Sequence, residues 1–254
     1  MKDGIKLISE SGARRPALET SISRVILEAV ADGKQEETLR LYRTPKIVAF
    51  GPQDINANGY RQAVQIARSA GFACVQRLAG GRAAVFHEGT LAFAWAIPDI
   101  HPKQKIRQRF QMTAEIVSQA LIALGVRASV GAVDGEYCPG EFSVNARGKK
   151  KIMGVGQRVI ANASHMGGLI VLDGSSCMKE ILIPVYSSLG LEWNPETVGS
   201  VEDEVGPIPW QALEDSIVAE LSKTYRLDPV VMPDEIVRQA TTNEHNYVCP
   251  DFLP

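Results

Sequence analysis

Residues 145–158 read NARGKKKIMGVGQR, and this stretch decides how the centre of the fold is interpreted. The tract NARGKK has the composition of a hairpin turn and separates two strand-like runs, EFSVNA and KIMGVGQRVI. Gly154 and Gly156 alternate within the second run, although glycine weakens the interior of a strand. The repeat indicates either a ligand lying against that face of the strand or a β-bulge beside a solvated lysine turn.

Outward from this hairpin, short strand-like runs are mixed with longer helical segments. Helical periodicity occurs from residue 18 to before Gly33 and at about 60–70, 103–124 and 209–225. The other strand-like runs are TLRLYR, KIVAFG, ACVQRL, AAVFH, LAFAWAI, RASVG and GGLIVL. Strands clustered between separated helices predict an α+β (α/β) fold with helices packed on a mixed β-sheet. We expect one domain over residues 1–225 and a C-terminal tail, poor in apolar residues, over 226–254.

The composition excludes several classes of protein. Of the 254 residues, 45 % are hydrophobic and 22 % charged, which is typical of a globular protein. A net charge of −2 provides no basic field for nucleic acid or anionic lipid, so neither is an expected partner. No apolar run reaches the length of a membrane span, and the first residues lack the apolar core of a signal peptide. These features predict a cytoplasmic protein.

The cysteines do not form a metal or disulfide pattern. Cys74, Cys138, Cys177 and Cys249 are far apart, and none forms a Cys-x-x-Cys pair or stands at zinc spacing with a histidine. We therefore expect free thiols and no metal site.

One cysteine lies in an unusual setting, GEYCPGEF, over residues 135–142. Pro139 disfavours helical backbone at Cys138, and Gly140 allows a sharp turn, so the thiol is presented from a loop ahead of a strand. Reactive groups are common on loops held by a rigid sheet. Cys138 is therefore either a nucleophile or a small packing residue beside a turn.

A second stretch, RLAGGRAAVFHEG, combines glycine with positive charge. Gly80 and Gly81 permit close backbone approach to a ligand, and the flanking Arg77 and Arg82 offer cationic donors. The alternative is an ordinary turn between two strands.

Three segments together resemble a known family. RLAGGRAAVFHEGTLAF, EYCPGEFSVNARGKKKIMGVGQR and SHMGGLIVL are similar to the signature segments of the lipoate–protein ligase and octanoyltransferase superfamily, in its order and at about its spacing. The resemblance spans about residues 39–172 and implies the biotin/lipoyl protein ligase fold, which is related to class II synthetase catalytic domains. The cysteine segment looks most like the cysteine-dependent branch, which includes octanoyltransferases and lipoyl-domain amidotransferases.

The chain departs from the pattern of the ATP-using ligases. Their three glycines, paired arginines and histidine pair correspond here to Gly80-Gly81-Arg82, Gln76-Arg77 and His165-Met166. These changes weaken the case for adenylate binding more than the case for acyl transfer. The accessory C-terminal domain of the long ligases is not expected here.

The resemblance implies an acyltransferase of lipoyl assembly, which moves an octanoyl or lipoyl group onto a lysine of a lipoyl-domain protein. Cys138 would carry the group as a thioester, because a thioester both forms and breaks easily. Lys151, directly before IMG, matches the family lysine that touches the acyl carbonyl, whereas Lys149 and Lys150 are expected in the solvated turn. A positive neighbour also favours the thiolate form of a thiol. The donor would be acyl carrier protein or another lipoyl domain, and no cofactor is expected.

The resemblance also implies a set of substrate-binding positions. They are Arg77, Gly80, Gly81, Arg82, His87, Gly154, Val155, Gly156, His165 and Gly167. His87 and His165 are candidates for the general base. The acyl chain would lie in an apolar tunnel lined from IVAFG and LAFAWAI. We expect RLAGGRAAVFH and KIMGVGQR side by side on the mixed sheet, with the helix at about 103–124 packed on it.

Two other functions remain open. The first is an ATP-dependent lipoate–protein ligase without its accessory domain, which would use ATP and Mg²⁺ and for which Cys138 would be incidental. The second is a non-catalytic protein that binds an acyl or lipoyl carrier. The sequence leaves open the acyl donor, the choice between octanoyl and lipoyl groups, the general base and the oligomeric state.

Overall fold

A mixed sheet of eight strands forms the centre of the computed structural model, which describes residues 4–251. Across the sheet the strands are β11 (Arg226–Pro229), β1 (Gly4–Glu10), β2 (Thr38–Arg43), β6 (Thr90–Pro98), β10 (Ala163–Val171), β9 (Lys150–Ile160), β8 (Val144–Ala146) and β7 (Ala128–Val130). The β11–β1 and β1–β2 pairs are parallel, and the remaining neighbours are antiparallel. The predicted mixed sheet is confirmed.

The predicted hairpin turn connects β8 to β9. Arg147 and Gly148 have φ angles of 56° and 69°, and positive φ at both central residues suits the twist of a tight hairpin. β8 pairs with β9 only as far as Met153. Within residues 4–251, the part of β9 from residue 154 onward therefore has a strand partner on its β10 side alone.

A second, three-stranded sheet holds the segment that follows the glycine pair. Its order is β4 (Ala73–Gln76), β3 (Ile47–Phe50) and β5 (Ala84–Phe86). The prediction that RLAGGRAAVFH and KIMGVGQR lie side by side in one sheet is wrong, because β5 pairs with β3 in the three-stranded sheet, whereas β9 pairs with β10 and β8 in the main sheet. The two segments face each other instead: a Cβ placed on Gly156 would lie 3.1 Å from the carbonyl oxygen of Gly80.

Helices cover both sheets. Within the described chain they are α1 (Pro16–Ala31), α2 (Pro52–Ile55), α3 (Tyr60–Ser69), α4 (Ile106–Ala123), α5 (Ser175–Ser188), α6 (Val201–Val205), α7 (Trp210–Ser222) and α8 (Asp234–Asn243), with 3₁₀ turns at Pro195–Thr197 and Glu244–Tyr247. α4 and α7 pack on one face of the main sheet, and α1 and α8 pack on the other. α3 and α5 flank the small sheet. None of the helices described is long and apolar enough to cross a bilayer.

The sequence explains the placement of α1. Pro16 occupies the first turn, where its missing N–H has no intrahelical partner to lose. Leu18, Ile22 and Ile26 are buried along one face, as expected from their helical spacing. The helix ends before Gly33, whose φ of 70° suits glycine.

The segment predicted as a tail contributes regular structure. β11 adds a parallel strand to β1, and α8 buries Ile236 and Ala240 in the core shared with α1. Cys249 is fully buried, and its N–H donates to the carbonyl of Cys74. The predicted boundary at residue 225 therefore falls between α7 and an edge strand of the main sheet.

Candidate active site

A cavity of about 510 Å³ lies between the α1-facing side of the main sheet and the three-stranded sheet. This volume is in the range of small-molecule sites. Ten of the positions expected from the sequence line it: Arg77, Gly80, Gly81, Cys138, Lys151, Gly154, Val155, Gly156, His165 and Gly167. The structure thus brings together residues from β9, β10, the loop that follows β4 and the loop before β8.

Glycines of β9 and β10 form part of the cavity wall. Gly156 pairs with Gly167 across the two strands. A Cβ on Gly156 would lie 3.0 Å from the Cβ of Ala79 and 3.1 Å from Nη2 of Arg77. Gly156 therefore allows the loop that follows β4 to approach the strand closely, whereas a Cβ on Gly154 would lie 3.3 Å from Cε of Lys151.

Cys138 lies at the junction of this loop and the cavity wall. Its φ is 42°, which is rare for a residue with a side chain. The sulfur accepts the backbone N–H of Arg82 at 3.1 Å and contacts Nη1 of Arg77 at 3.5 Å. Gly81 has φ of 107°, and a Cβ there would lie 2.9 Å from the sulfur. Two N–H donors thus face a half-buried sulfur.

Lys151 is almost completely buried beside that loop. It is 2 % exposed, and its ammonium donates to the carbonyl oxygens of Tyr137 at 3.0 Å and Cys138 at 2.8 Å. It also pairs with the carboxylate of Glu136 at 3.1 Å. Burial lowers the pKa of Lys151, and Glu136 acts in the opposite direction.

The other lysines of the run lie outside this environment. Lys149 is exposed, and Lys150 bonds to the carbonyl oxygen of Glu196 at the surface. Of the three, only Lys151 lines the cavity.

The remaining thiols have different surroundings. Burial raises the pKa of Cys74 to about 12 and also raises the pKa of Cys177 and Cys249. The Cys74 thiol donates towards the carbonyls of Val64 and Phe72.

The two histidines proposed as bases are separated. His165 lines the cavity with its Nε2 over Gly167, where a Cβ would lie only 2.3 Å away. Burial lowers its pKa to about 4, so the ring is neutral at physiological pH. His87 does not line the cavity: its Nδ1 accepts the N–H of Gly89 at 3.0 Å. Arg82 reaches the site through its backbone N–H, while its side chain points to Asp54.

Another wall of the cavity contains part of a buried charged network. The sequence did not indicate this network. Arg40 is fully buried, donates to Glu10 at 2.6 Å and also pairs with Glu19. Its guanidinium lies 3.8 Å from the centre of the Tyr42 ring, and burial raises the pKa of Tyr42 to about 12. Glu19 and Tyr42 line the cavity. An arginine within TLRLYR gave no local signal of this network, because its partners lie in other elements.

No group of three or more His, Cys, Asp or Glu side chains arranged to hold a metal is found between residues 4 and 251.

Most of the chain matches one known protein family. The profile described as the lipoyl protein ligase A/B catalytic domain matches residues 15–222. The chain belongs to this family. The lipoyl ligase A/B profile covers the cavity, Cys138 and Lys151, so the resemblance drawn from the three segments is confirmed.

Curated relatives of this lipoyl ligase A/B member include two kinds of transferase. An octanoyl-GcvH:protein N-octanoyltransferase of Geobacillus kaustophilus is 25 % identical over 80 % of this chain and 70 % of its own length. A second protein with this name, from Anoxybacillus flavithermus, is 28 % identical over 61 % of this chain and 55 % of its own. A lipoyl-GcvH:protein N-lipoyltransferase of Listeria monocytogenes is 23 % identical over 65 % of this chain and 63 % of its own. The matched region thus spans between 55 and 70 % of the length of these relatives.

Solved structures confirm the lipoyl ligase fold. A putative lipoate protein ligase of Thermoplasma acidophilum with bound lipoic acid superposes with a TM-score of 0.75 at 18 % identity, over 97 % of this chain and 96 % of that one. A lipoate-protein ligase A bound with ATP gives 0.74 at 17 %, over 96 % and 95 %. At these identities the similarity establishes the fold alone.

Proposed function

We propose that this protein is an octanoyl or lipoyl transferase that carries the acyl group on Cys138 and passes it to a lysine of a lipoyl-domain protein. The names of the curated relatives support the acyltransferase class and a lipoyl-domain partner. The observation that carries the mechanism is the environment of the Cys138 sulfur, which faces the Arg82 N–H and the Arg77 guanidinium at the wall of the cavity.

In the first step the Cys138 thiolate attacks the acyl carbonyl carbon of the donor. A carbon–sulfur bond forms, and the bond from that carbon to the donor's leaving group breaks. The leaving group departs as a thiol or, from an amide donor, as a lysine amine, and takes up a proton. Arg77 stabilises the thiolate before attack, because a nearby cation favours the charged form.

In the second step the neutral amine of the acceptor lysine attacks the thioester. A carbon–nitrogen bond forms, the carbon–sulfur bond breaks, and Cys138 leaves as a thiolate while the amine loses a proton. The Lys151 ammonium is the nearby positive charge that favours the developing oxyanion. Neither step consumes ATP.

The cavity suits an aliphatic acyl chain. Apolar side chains from both sheets line it, among them Ile47, Ala49, Val75, Phe86 and Leu169. Burying an aliphatic chain against such a wall contributes about 0.8 kcal/mol per methylene group. The carbonyl end would face Cys138, and the chain would extend beneath α1.

Intact-protein mass spectrometry tests this function. The wild-type protein, incubated with an octanoylated carrier, is expected to gain one octanoyl group, which hydroxylamine removes and which Cys138→Ser does not acquire. The carriers to compare are acyl carrier protein and a lipoyl-domain protein. If no adduct forms, and lipoate drives ATP–pyrophosphate exchange equally well in wild type and Cys138→Ala, the protein is a ligase and the proposal fails.

A further inference from the structure

Glu136 is a buried carboxylate at the start of the cysteine loop. It is 3 % exposed, and its Oε2 accepts the N–H of Val133 at 3.0 Å. Its Oε1 accepts the N–H of Gly140 at 2.9 Å and the hydroxyl of Ser143 at 2.6 Å. The same oxygen bonds to the Lys151 ammonium at 3.1 Å. The Glu136 side chain therefore connects both sides of the loop that carries the thiol, and it also connects this loop to the buried Lys151.

The charges that face Lys151 are few and opposed. Burial and Arg77 both disfavour a charge on Lys151, whereas Glu136 and a Cys138 thiolate favour it. The Tyr137 ring, 4.8 Å from the ammonium, adds a weaker attraction. Glu136 is thus the carboxylate in direct contact with the lysine ammonium.

The balance of interactions that favour and disfavour a charge on Lys151 changes during the proposed reaction. Once Cys138 is acylated, its sulfur is neutral and no longer favours the charge of Lys151. Arg77 and burial remain, so the contact with Glu136 is then the interaction that offsets them. The dependence of Lys151 on Glu136 is therefore greatest in the acyl-enzyme, before the acceptor amine attacks.

We infer that Glu136 is a positioning residue that keeps Lys151 charged throughout the cycle and fixes the loop carrying Cys138. It acts through Lys151 and does not itself touch the acyl group. This inference rests on the proposed function for its activity assays.

The first test is the pH dependence of transfer by Glu136→Gln, which removes the charge while keeping hydrogen-bonding atoms. A charge partner at this distance shifts an ionisation by about 1–3 units. Without Glu136, Lys151 loses its proton at lower pH. The high-pH limb of the rate profile should therefore shift to lower pH by about one pH unit or more. Glu196→Gln is the matched control, because Glu196 is an exposed carboxylate beside the neighbouring Lys150.

The second test separates the two half-reactions. If Lys151 is needed most in the acyl-enzyme, Glu136→Gln should accumulate the S-acyl form in mass spectra recorded with acceptor present, whereas wild type and Glu196→Gln should not. Ser143→Ala removes one loop contact and leaves the carboxylate, so it should lower the rate without moving the limb.

Glu136→Asp keeps the charge and provides a variant for the case in which the glutamine protein does not fold. The high-pH limb of the Glu136→Asp rate profile should lie between the limbs of wild type and Glu136→Gln, or at the wild-type position. The inference would be overturned if Glu136→Gln matched wild type in both the high-pH limb and the acyl-enzyme level. It would also be overturned if Ser143→Ala changed both quantities as much as Glu136→Gln does. In either case Glu136 would serve only to stabilise the structure of the loop.

Failure of the proposed function is recognised separately. If wild type never forms an S-acyl adduct, the transferase proposal fails. The role of Glu136 is then read from iodoacetamide labelling of Cys138 against pH, which responds to the charge on Lys151. An identical labelling profile in wild type and Glu136→Gln contradicts the inference whatever the reaction is.

Discussion

The ammonium of Lys151 bonds to the backbone carbonyl of Cys138, at 2.8 Å, and not to its sulfur. Its other bonds go to the carbonyl of Tyr137 and the carboxylate of Glu136. An ammonium has three N–H donors, so all are used. A direct bond from Lys151 to an acyl oxygen therefore requires that one of these contacts be exchanged when substrate enters.

Replacing the nucleophile should abolish transfer without unfolding the protein. Cys138→Ser is expected to lose most transfer activity, since removal of an enzymatic nucleophile can cost about 10⁶-fold in rate. Cys177→Ser is the control, since it makes the same chemical change at another half-buried thiol. The rates are measured by octanoylation of a lipoyl-domain acceptor, with circular dichroism to verify folding. Near-normal transfer by Cys138→Ser would make the thiol a packing residue.

Alkylation should distinguish the thiols. Iodoacetamide at pH 7 is expected to modify Cys138 first, because donors from Arg77 and Arg82 face its sulfur. Burial raises the pKa of Cys74 to about 12, so its thiolate fraction at pH 7 is negligible. Peptide mapping after partial modification measures the order. Faster labelling of Cys74 or Cys249 would contradict the description of the site.

Lysine substitutions should separate Lys151 from its neighbour. Lys151→Ala is expected to remove most transfer activity and to lower the free energy of unfolding by about 3–5 kcal/mol, because it leaves the Glu136 carboxylate buried without its partner. Lys149→Ala removes an exposed charge and should change stability by less than about 0.5 kcal/mol.

Because Lys151→Ala affects both properties, Lys151→Met combined with Glu136→Gln is also measured. Removing both charges should recover part of the stability but none of the activity. If transfer returned together with stability, the lysine would matter only for folding.

Gly81 should not tolerate a side chain. In Gly81→Ala the methyl group would meet the Cys138 sulfur at 2.9 Å and the Arg77 guanidinium at 2.8 Å, so transfer should fall sharply. Gly71 has φ of 81° and open space around it. Gly71→Ala therefore carries a similar backbone cost, about 1–2 kcal/mol, without touching the sulfur. Equal transfer rates in the two alanine variants would show that the contact with sulfur is unimportant.

Helix α8 should contribute to the stability of the whole domain. Ile236→Ala in α8 creates a cavity next to α1 and is expected to lower the free energy of unfolding by about 2–5 kcal/mol. Val231→Ala, at an 89 % exposed position of the same segment, should be nearly neutral. Urea denaturation measures both, and a single cooperative transition is expected in each. A separate early transition for Ile236→Ala would show that residues 226–251 unfold independently.

Local patterns predicted much of the fold. The run TLRLYR is β2, residue for residue, and the helices expected at 60–70 and 103–124 are α3 and α4. α5 was missed because Pro184 interrupts its helical pattern. The pairing of β5 with β3 was also missed, since partner choice depends on contacts far apart in sequence.

The site was predictable where the residues carry their own signal. A cysteine before Pro-Gly, glycines within a strand and a lysine beside them all line the cavity. Glu136 and Arg40 were not identified, because a single charged residue looks the same in sequence whether it is exposed or buried. Their partners, Lys151 and Glu19, lie 15 and 21 residues away and became evident only in three dimensions.

The segments that surround Cys138 are made at different times during synthesis. Its donors in Arg77 and Arg82 precede it by 61 and 56 residues, while the N–H of Gly199 completes the backbone bonding of Lys151 from the other side. A nascent chain that stops before Gly199 lacks the last of these contacts. The backbone contacts of Lys151, whose ammonium bonds to the Cys138 carbonyl, are therefore complete only after most of the chain has been synthesised.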